Sequence, residues 1–412
     1  MATQHAILML SGLLLLAIMV KPLAPRLHIP FSALLVIIGF AASEVLVLSG
    51  IDTGIRADNF HDLIFFVFLP VLVFESAYNI NVRLLLKNLL PILFLAIPIM
   101  LLSTFIAAAL IYAGMGHPQG FPWIAALLTG ALLSATDPVA VVALLRQMGV
   151  SERLALLMEG ESLFNDATAI VVFAVFLAIA SGTTGPMSVQ DASLYFLEVF
   201  FGGLLVGVIT GLLFSLLLRL SRENVVRALL TVISAYSSFV AAEAVFHVSG
   251  VMAVLVTGLV LGYQGQAAND ASPGKFVAEL WEFNAFVANT LVFLLMGVTV
   301  TLAMFEERWL AMLIGIAAVL LARALGIFTC VPLLNRLTPI EPISRPYQVV
   351  MFWGGLRGAV TLALALSLPT TLEYWWTIQS IAFGVVLFTL FVQATSTAPL
   401  LRHYHLGRDH SQ

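Results

Sequence analysis

Six ionisable side chains fall well inside stretches apolar enough to cross a bilayer: Glu75, Asp137, Glu161, Asp166, Arg323 and Arg357, whereas Glu44, Asp62, Glu159, Glu198, Glu243 and Glu282 sit nearer the ends of such stretches. A charge at mid-bilayer is costly, so each needs a partner, a water-filled cavity or a task. Asp137 lies in LLSATDPVAVVALL, between Thr136 and Pro138. Proline has no amide proton and clashes with the preceding turn, so the helix is predicted to break there. A break frees backbone groups at membrane depth, which is tolerated only where they line a cavity or bind something. A kink without chemistry is the plain alternative, and an acid and a hydroxyl directly before the proline argue against it. Asp166 lies in MEGESLFNDATAIVVF. At about 100° per residue, Glu161 and Asn165 share one helix face while Ser162 and Asp166 share the neighbouring one. Ser162, Asp166 and the spare oxygens of the broken helix could surround a small dehydrated cation. The alternative is a structural acid paired with an arginine. One arginine neutralises one acid, so this accounts for Glu161 and Asp166 together only if both Arg323 and Arg357 are committed to them.

A second break is expected in MFWGGLRGAVTLALAL, where Gly354, Gly355 and Gly358 weaken the helix around Arg357. Broken helices leave dipole ends in the membrane. Asp137 would balance positive N-terminal ends and Arg357 negative C-terminal ends. Glycines that simply allow close helix packing are the other reading of Gly354 and Gly355. It is the preferred one for Gly203, Gly207 and Gly211, which recur every four residues with no charge nearby.

The elements that must position these groups follow from composition. Of 412 residues, 61% are hydrophobic and 10% charged, whereas soluble domains carry about 25% charged residues. A span needs about 20 apolar residues, and thirteen are predicted: about 5–20, 29–49, 60–79, 89–113, 122–145, 154–180, 192–218, 225–246, 250–264, 279–301, 309–334, 347–368 and 376–400. The first has no basic region before it and no cleavage site after it, so it is expected to be retained. The net charge of −4 is too small to imply a nucleic-acid partner, and Cys330, the sole cysteine, excludes disulfides. His403, His405 and His410 read as a solvated tail rather than a metal site.

With the N-terminus outside, alternation assigns fourteen lysines and arginines to the cytoplasmic side. Only Arg56 and Arg308 fall outside, and Arg323 and Arg357 remain in the membrane, which accounts for all 18. A wrong span count would scramble this bias, so the positive-inside rule supports thirteen spans with the C-terminus cytoplasmic. The two broken spans, five and twelve, are seven apart. That spacing fits two inverted six-span repeats, 5–180 and 225–400, around a linker helix at 192–218. The membrane domain covers 1–408, and a short cytoplasmic tail occupies 401–412. Transporters often place substrate at the midplane between the broken helices of such repeats.

The stretch SATDPVAVVALLRQMGVSERLALLMEGESLFNDATAIVVF, with ARALGIF and WGGLRGAV downstream, resembles the NhaP/NHE branch of monovalent cation:proton antiporters. FLPVLVFESAYN and AEAVFHVSGVMAVLVTGLVLG look like the same family, so the resemblance covers essentially the whole membrane domain. It implies an all-α, thirteen-helix NhaA/NhaP-like fold with a dimerisation domain, a mobile core and two crossed, discontinuous helices. It implies that Asp166 carries the ion or proton, that Asn165 opens the Asn-Asp pair, and that Thr136, Asp137 and Ser162 lie near the ion. Asp166, Thr136 and Ser162 would ligate the transported Na⁺, and Glu75 matches an acid able to reach it through water. Glu161 and Arg323 match the family's structural ion pair, and Arg357 the charge of the second discontinuous helix. The chain differs from animal members in having no long cytoplasmic tail, which suggests a prokaryotic protein.

The expected activity is exchange of Na⁺, or Li⁺, for H⁺ by a homodimer in the cell (inner) membrane, without cofactor or enzymatic chemistry. Asn165 in place of a second aspartate argues for one-for-one, electroneutral exchange. K⁺/H⁺ exchange is the nearest alternative, followed by a cation channel and a sodium-coupled symporter; the last should offer more substrate-binding polar residues than this chain has. An intramembrane aspartyl protease needs two apposed aspartates, and no glycine-flanked motif of that kind is present.

Overall fold

The computed structural model describes residues 2–27, 29–48, 63–116, 120–182, 188–221, 223–267, 273–337, 341–404 and 406, with side chains described except at 2–10, 25, 45–48, 266–267 and 273–274. The charges of Arg56, Asp62, Arg222 and Arg408, and His405 and His410 of the tail, lie outside the described residues. In a bilayer core no water satisfies backbone amides, so a chain this apolar closes its hydrogen bonds within helices.

Among the described residues, thirteen helical spans follow in chain order. They are Ala2–Val20, Phe31–Leu48, Ile64–Asn79, Leu89–Gly114, a fifth in two pieces (Trp123–Leu132 and Val139–Gln147), Glu152–Ala180 and Val189–Leu220. Then come Asn224–Val245, Gly250–Ala267, Pro273–Thr299, Leu302–Leu337, a twelfth in two pieces (Arg345–Trp353 and Ala359–Leu366), and Trp375–His403. Seven of them are long and apolar enough to cross a membrane on length and composition alone. Both predicted breaks are present, at 133–138 and at 354–358.

Span eleven departs most from its predicted limits. It starts at Leu302 rather than near 309, because Glu306, Glu307 and Arg308 continue the helix past the apolar stretch. Arg308 is anchored there by a hydrogen bond to Thr377 Oγ1 at 3.1 Å and by the Trp376 ring, 5.5 Å from its guanidinium carbon. The last helix runs to His403 rather than to about 400. Single π-turns interrupt spans three, four, eight, eleven and thirteen. The one in span four contains Pro98, whose missing amide makes a regular α-turn unavailable.

The spans pack in two groups. Spans four, five, six, eleven, twelve and thirteen pack on one another, and spans two, three, seven, eight, nine and ten form the second group with span one on its flank. Within the second group, Gly203 and Gly207 bring span seven onto the carbonyls of Ser249 and Ala253, and Gly211 faces Val260. These glycines therefore serve helix packing. Trp281 is fully buried, packs against the tilted ring of Phe74 with centroids 4.2 Å apart and donates to Thr231 Oγ1 at 3.0 Å, tying spans three, eight and ten. Span six packs against spans seven and nine, and the second half of span twelve against span ten, so the two groups meet along span six and the second break.

Candidate functional site

The two breaks meet face to face. The Asp137 amide donates to the Leu356 carbonyl at 2.8 Å, which joins the extended segments directly. From the second break, Arg357 Nη1 donates to the carbonyls of Ser134 at 3.1 Å and Ala135 at 2.8 Å, in the break just past the C-terminal end of the first half-helix of span five. From the first break, the Asp137 carboxylate accepts the Val139 amide at 3.1 Å and the Ala359 amide, at the starts of the two second half-helices. A carboxylate thus faces the two positive helix ends and a guanidinium a negative one, which is the favourable arrangement for helix dipoles. Gly358 lies so close to the Asp137 carboxylate that a Cβ would collide with it. Here glycine is required by close approach.

Span six lies alongside this crossing. The Ser162 hydroxyl donates to the Thr136 carbonyl, and Asn165 Nδ2 donates to Thr136 Oγ1 at 3.3 Å. The Asp166 carboxylate lies beside the Thr136 amide and the Ser162 hydroxyl, and within electrostatic reach of Asp137 and Arg357. Two oxygens here, Asp166 Oδ1 and Asn165 Oδ1, are buried without a hydrogen-bond partner. Ser162 has spent its one proton on Thr136, so its lone pairs remain available. The result is a concentration of oxygen acceptors around one carboxylate, the donor set a hard cation selects. A proton would satisfy the same carboxylate.

Glu161 points away from this group. Its carboxylate is held by Arg323 through Nη1 at 2.8 Å and Nη2 at 3.3 Å, with both side chains buried. Arg323 also donates to the Met351 carbonyl from Nε at 3.1 Å and Nη2 at 2.8 Å, near the C-terminus of the first half-helix of span twelve. Gly355 leaves the room this guanidinium needs.

Glu75 stands apart. It accepts from Asn79 Nδ2 at 2.8 Å and Ser76 Oγ at 3.4 Å, and Glu282 and Glu159 are within electrostatic reach of it. Glu159 in turn binds Arg146 at 2.6 Å. The structure therefore gathers Thr136, Asp137, Ser162, Asn165, Asp166 and Arg357, sets Glu161 and Arg323 against their flank, and does not bring Glu75 into contact with them.

Sequence reasoning missed two groups that contact the crossing. Thr361 lies 3.5 Å from the Ala135 carbonyl, and Thr389 of span thirteen hydrogen-bonds the backbone of Arg357. Both are single threonines in apolar helices, and nothing in their spacing marks them.

The model of the transmembrane sodium/hydrogen exchanger family matches residues 12–403. The Na(+)/H(+) antiporter ApNhaP of Aphanothece halophytica is 39% identical over 387 residues, covering 93% of this chain and 71% of that protein. The low-affinity Na(+)/H(+) antiporter NhaS1 of Synechocystis sp. is 38% identical over 418 residues, covering 99% of this chain and 76% of that one. The structure of the sodium proton antiporter MjNhaP1 from Methanocaldococcus jannaschii at pH 8 superposes with a TM-score of 0.80 at 21% identity, covering 97% of this chain and 98% of that one. That likeness establishes the fold of crossed discontinuous helices. By the extent of the family match and the identity to two relatives along most of its length, the chain belongs to the sodium/hydrogen exchanger family.

Proposed function

We propose that this chain exchanges Na⁺ for H⁺ across the cell membrane by alternating access at Asp166. The observation that carries the reading is the charge balance at the crossing. Glu161 is neutralised by Arg323, and Asp137 and Arg357 face helix ends of opposite sign. Asp166 is the acid left with a buried, unpartnered oxygen, and it lies among Thr136 and Ser162. Either a proton or a sodium ion neutralises it. The unloaded carboxylate is a bare charge whose exposure to the membrane barrier costs roughly 2.5–3.5 kcal/mol or more. The core therefore crosses loaded and stays put when empty. Asn165 braces Thr136 and does not titrate.

In this reading spans four, five, six, eleven, twelve and thirteen move as the core, and the other group holds a homodimer together. The repeats are 5–180 and 225–400, with 192–218 as linker. The N-terminus lies outside and the C-terminus in the cytoplasm of an inner-membrane protein. No cofactor takes part, and Na⁺ is substrate. Purified protein in proteoliposomes should relieve an imposed pH gradient when Na⁺ is added, and titration with Li⁺ and K⁺ ranks the cations. A gradient unmoved by any of the three would refute the proposal.

Exchange should be electroneutral. One negative site holds one Na⁺ or one H⁺, so both half-cycles move the same charge. Glu75 is the acid that could add a second proton, and its hydrogen bonds to Asn79 and Ser76 set it apart from Asp166. A potential of 100 mV acts on one net charge with about 2.3 kcal/mol, so a two-for-one exchanger would respond strongly. With a potential imposed by valinomycin and K⁺ gradients, the Na⁺ gradient at which flux reverses should not move. A reversal point that shifts with voltage would show that a second proton travels.

A further inference from the structure

Broken helices leave backbone amides and carbonyls that must be satisfied from elsewhere. In the first break, the Thr136 carbonyl accepts from Ser162 of span six, and those of Ser134 and Ala135 accept from Arg357. In the second, the Leu356 amide donates back to the Gly354 carbonyl and the Leu356 carbonyl accepts from Asp137. The peptide groups of Arg357, next in the chain, also lie outside any helix. Both lie within hydrogen-bond reach of one side chain. Thr389 Oγ1 lies 3.3 Å from the Arg357 amide and 3.2 Å from its carbonyl, and 2.9 Å from the Val386 carbonyl one turn back. A hydroxyl accepts the amide proton while donating its own hydrogen to one of the two carbonyls. Thr389 is 2% exposed and opens the π-turn Thr389–Gln393. A π-turn widens the helix locally and commonly marks functional positions.

We propose that Thr389 is the positioning residue of the second break, holding the Arg357 backbone so that its guanidinium meets the carbonyls beside the ion site. Its role parallels that of Ser162. Span six braces the break of span five through a serine hydroxyl, and span thirteen braces the break of span twelve through a threonine hydroxyl. The two pairs, spans five and six and spans twelve and thirteen, lie seven spans apart. The two differ in reach. Ser162 also lies beside Asp166, whereas Thr389 contacts the site only through Arg357. Its loss should therefore loosen ion binding without removing the carrier group.

This inference rests on the exchange activity proposed above, and wild-type protein assayed alongside keeps the two separable. Thr389→Val keeps shape and removes the hydroxyl, leaving the buried Arg357 amide without its acceptor. It should raise the Na⁺ concentration for half-maximal proton flux about fivefold or more, with the flux at saturating Na⁺ far less affected. Thr389→Ser, which restores the hydroxyl, should return half-saturation to within about twofold of wild type. A role in packing alone would not produce this split between affinity and rate or its rescue by serine. Should the valine protein fail to fold, Thr389→Cys decides by the same comparison, since its weak S–H donor should give an intermediate shift. A valine or cysteine variant indistinguishable from serine in half-saturation overturns the proposal, as does a serine variant that fails equally. No Na⁺-driven flux in wild type would instead defeat the exchange reading itself.

Discussion

Asp166→Asn is expected to abolish Na⁺-driven proton flux while leaving the protein folded. The amide has the shape of the carboxylate and can occupy the same place beside Ser162 and Thr136. It can neither release a proton near neutral pH nor offer a charge to Na⁺. In the charge balance of the crossing it is the neutral, locked form of the carrier: no step can exchange one ligand for another. Stability should hold or improve, because the substitution removes a buried negative charge whose Oδ1 has no hydrogen-bond partner. The measurements are dequenching of an imposed pH gradient in proteoliposomes and a thermal melt of the same preparation. Flux near the wild-type rate would remove Asp166 from the carrier role, and the other acids at membrane depth would then have to be reconsidered. Asp137→Asn makes an instructive companion. Asp137 receives amides from two half-helices, so its neutralisation should damage the crossing itself and show in the melt as well as in the flux.

The membrane depth of these two aspartates, and the helix break beside one of them, were legible in the sequence for a physical reason. Charges at membrane depth are so expensive that their types and positions are constrained, and Pro138 obliges a break directly after Asp137. The glycines around Arg357 signal the second break in the same way. Helix count and order followed from apolar run length and from the distribution of lysine and arginine. What could not be read was rotation and partnership. Glu75 and Asp166 both lie deep in apolar helices. Glu75 meets Asn79 by helix spacing alone, but only the packing of span three decides that it faces Glu282 and Glu159 rather than Asp166. Gly355 looks like a helix breaker in the sequence, and its consequence in the fold is room for the Arg323 guanidinium. Thr389 is one hydroxyl in an apolar helix, and its meaning depends on a backbone 32 residues away. Charged extensions of helices beyond the apolar run, as at Glu306–Arg308, escape any rule that equates a helix with its hydrophobic part.

Loss of one member of the Glu161–Arg323 pair should cost roughly 3–5 kcal/mol of stability, because the partner is left charged and buried. The two losses should not be equal. Glu161→Gln leaves Arg323 bound to the Met351 carbonyl through Nε and Nη2, so the stranded guanidinium keeps part of its hydrogen bonding. Arg323→Met strands the Glu161 carboxylate and also uncaps the first half-helix of span twelve, so it should be the worse of the two. The double neutralisation strands no charge. It should recover part of the loss, since replacing a whole buried pair by apolar or neutral groups is often close to neutral. The charge swap should recover less, because a carboxylate at position 323 would face the Met351 carbonyl, acceptor against acceptor. Thermal melts of the four proteins in one detergent give the order directly. Single and double neutralisations that all melt like wild type would deny the pair any structural role. Half-saturation for Na⁺ in the surviving variants supplies the second half of the argument. Glu161 points to Arg323 and away from the oxygens around Asp166. A Glu161→Gln protein that remains folded should therefore bind Na⁺ nearly as wild type does, and a large shift in its affinity would place Glu161 among the ion ligands instead.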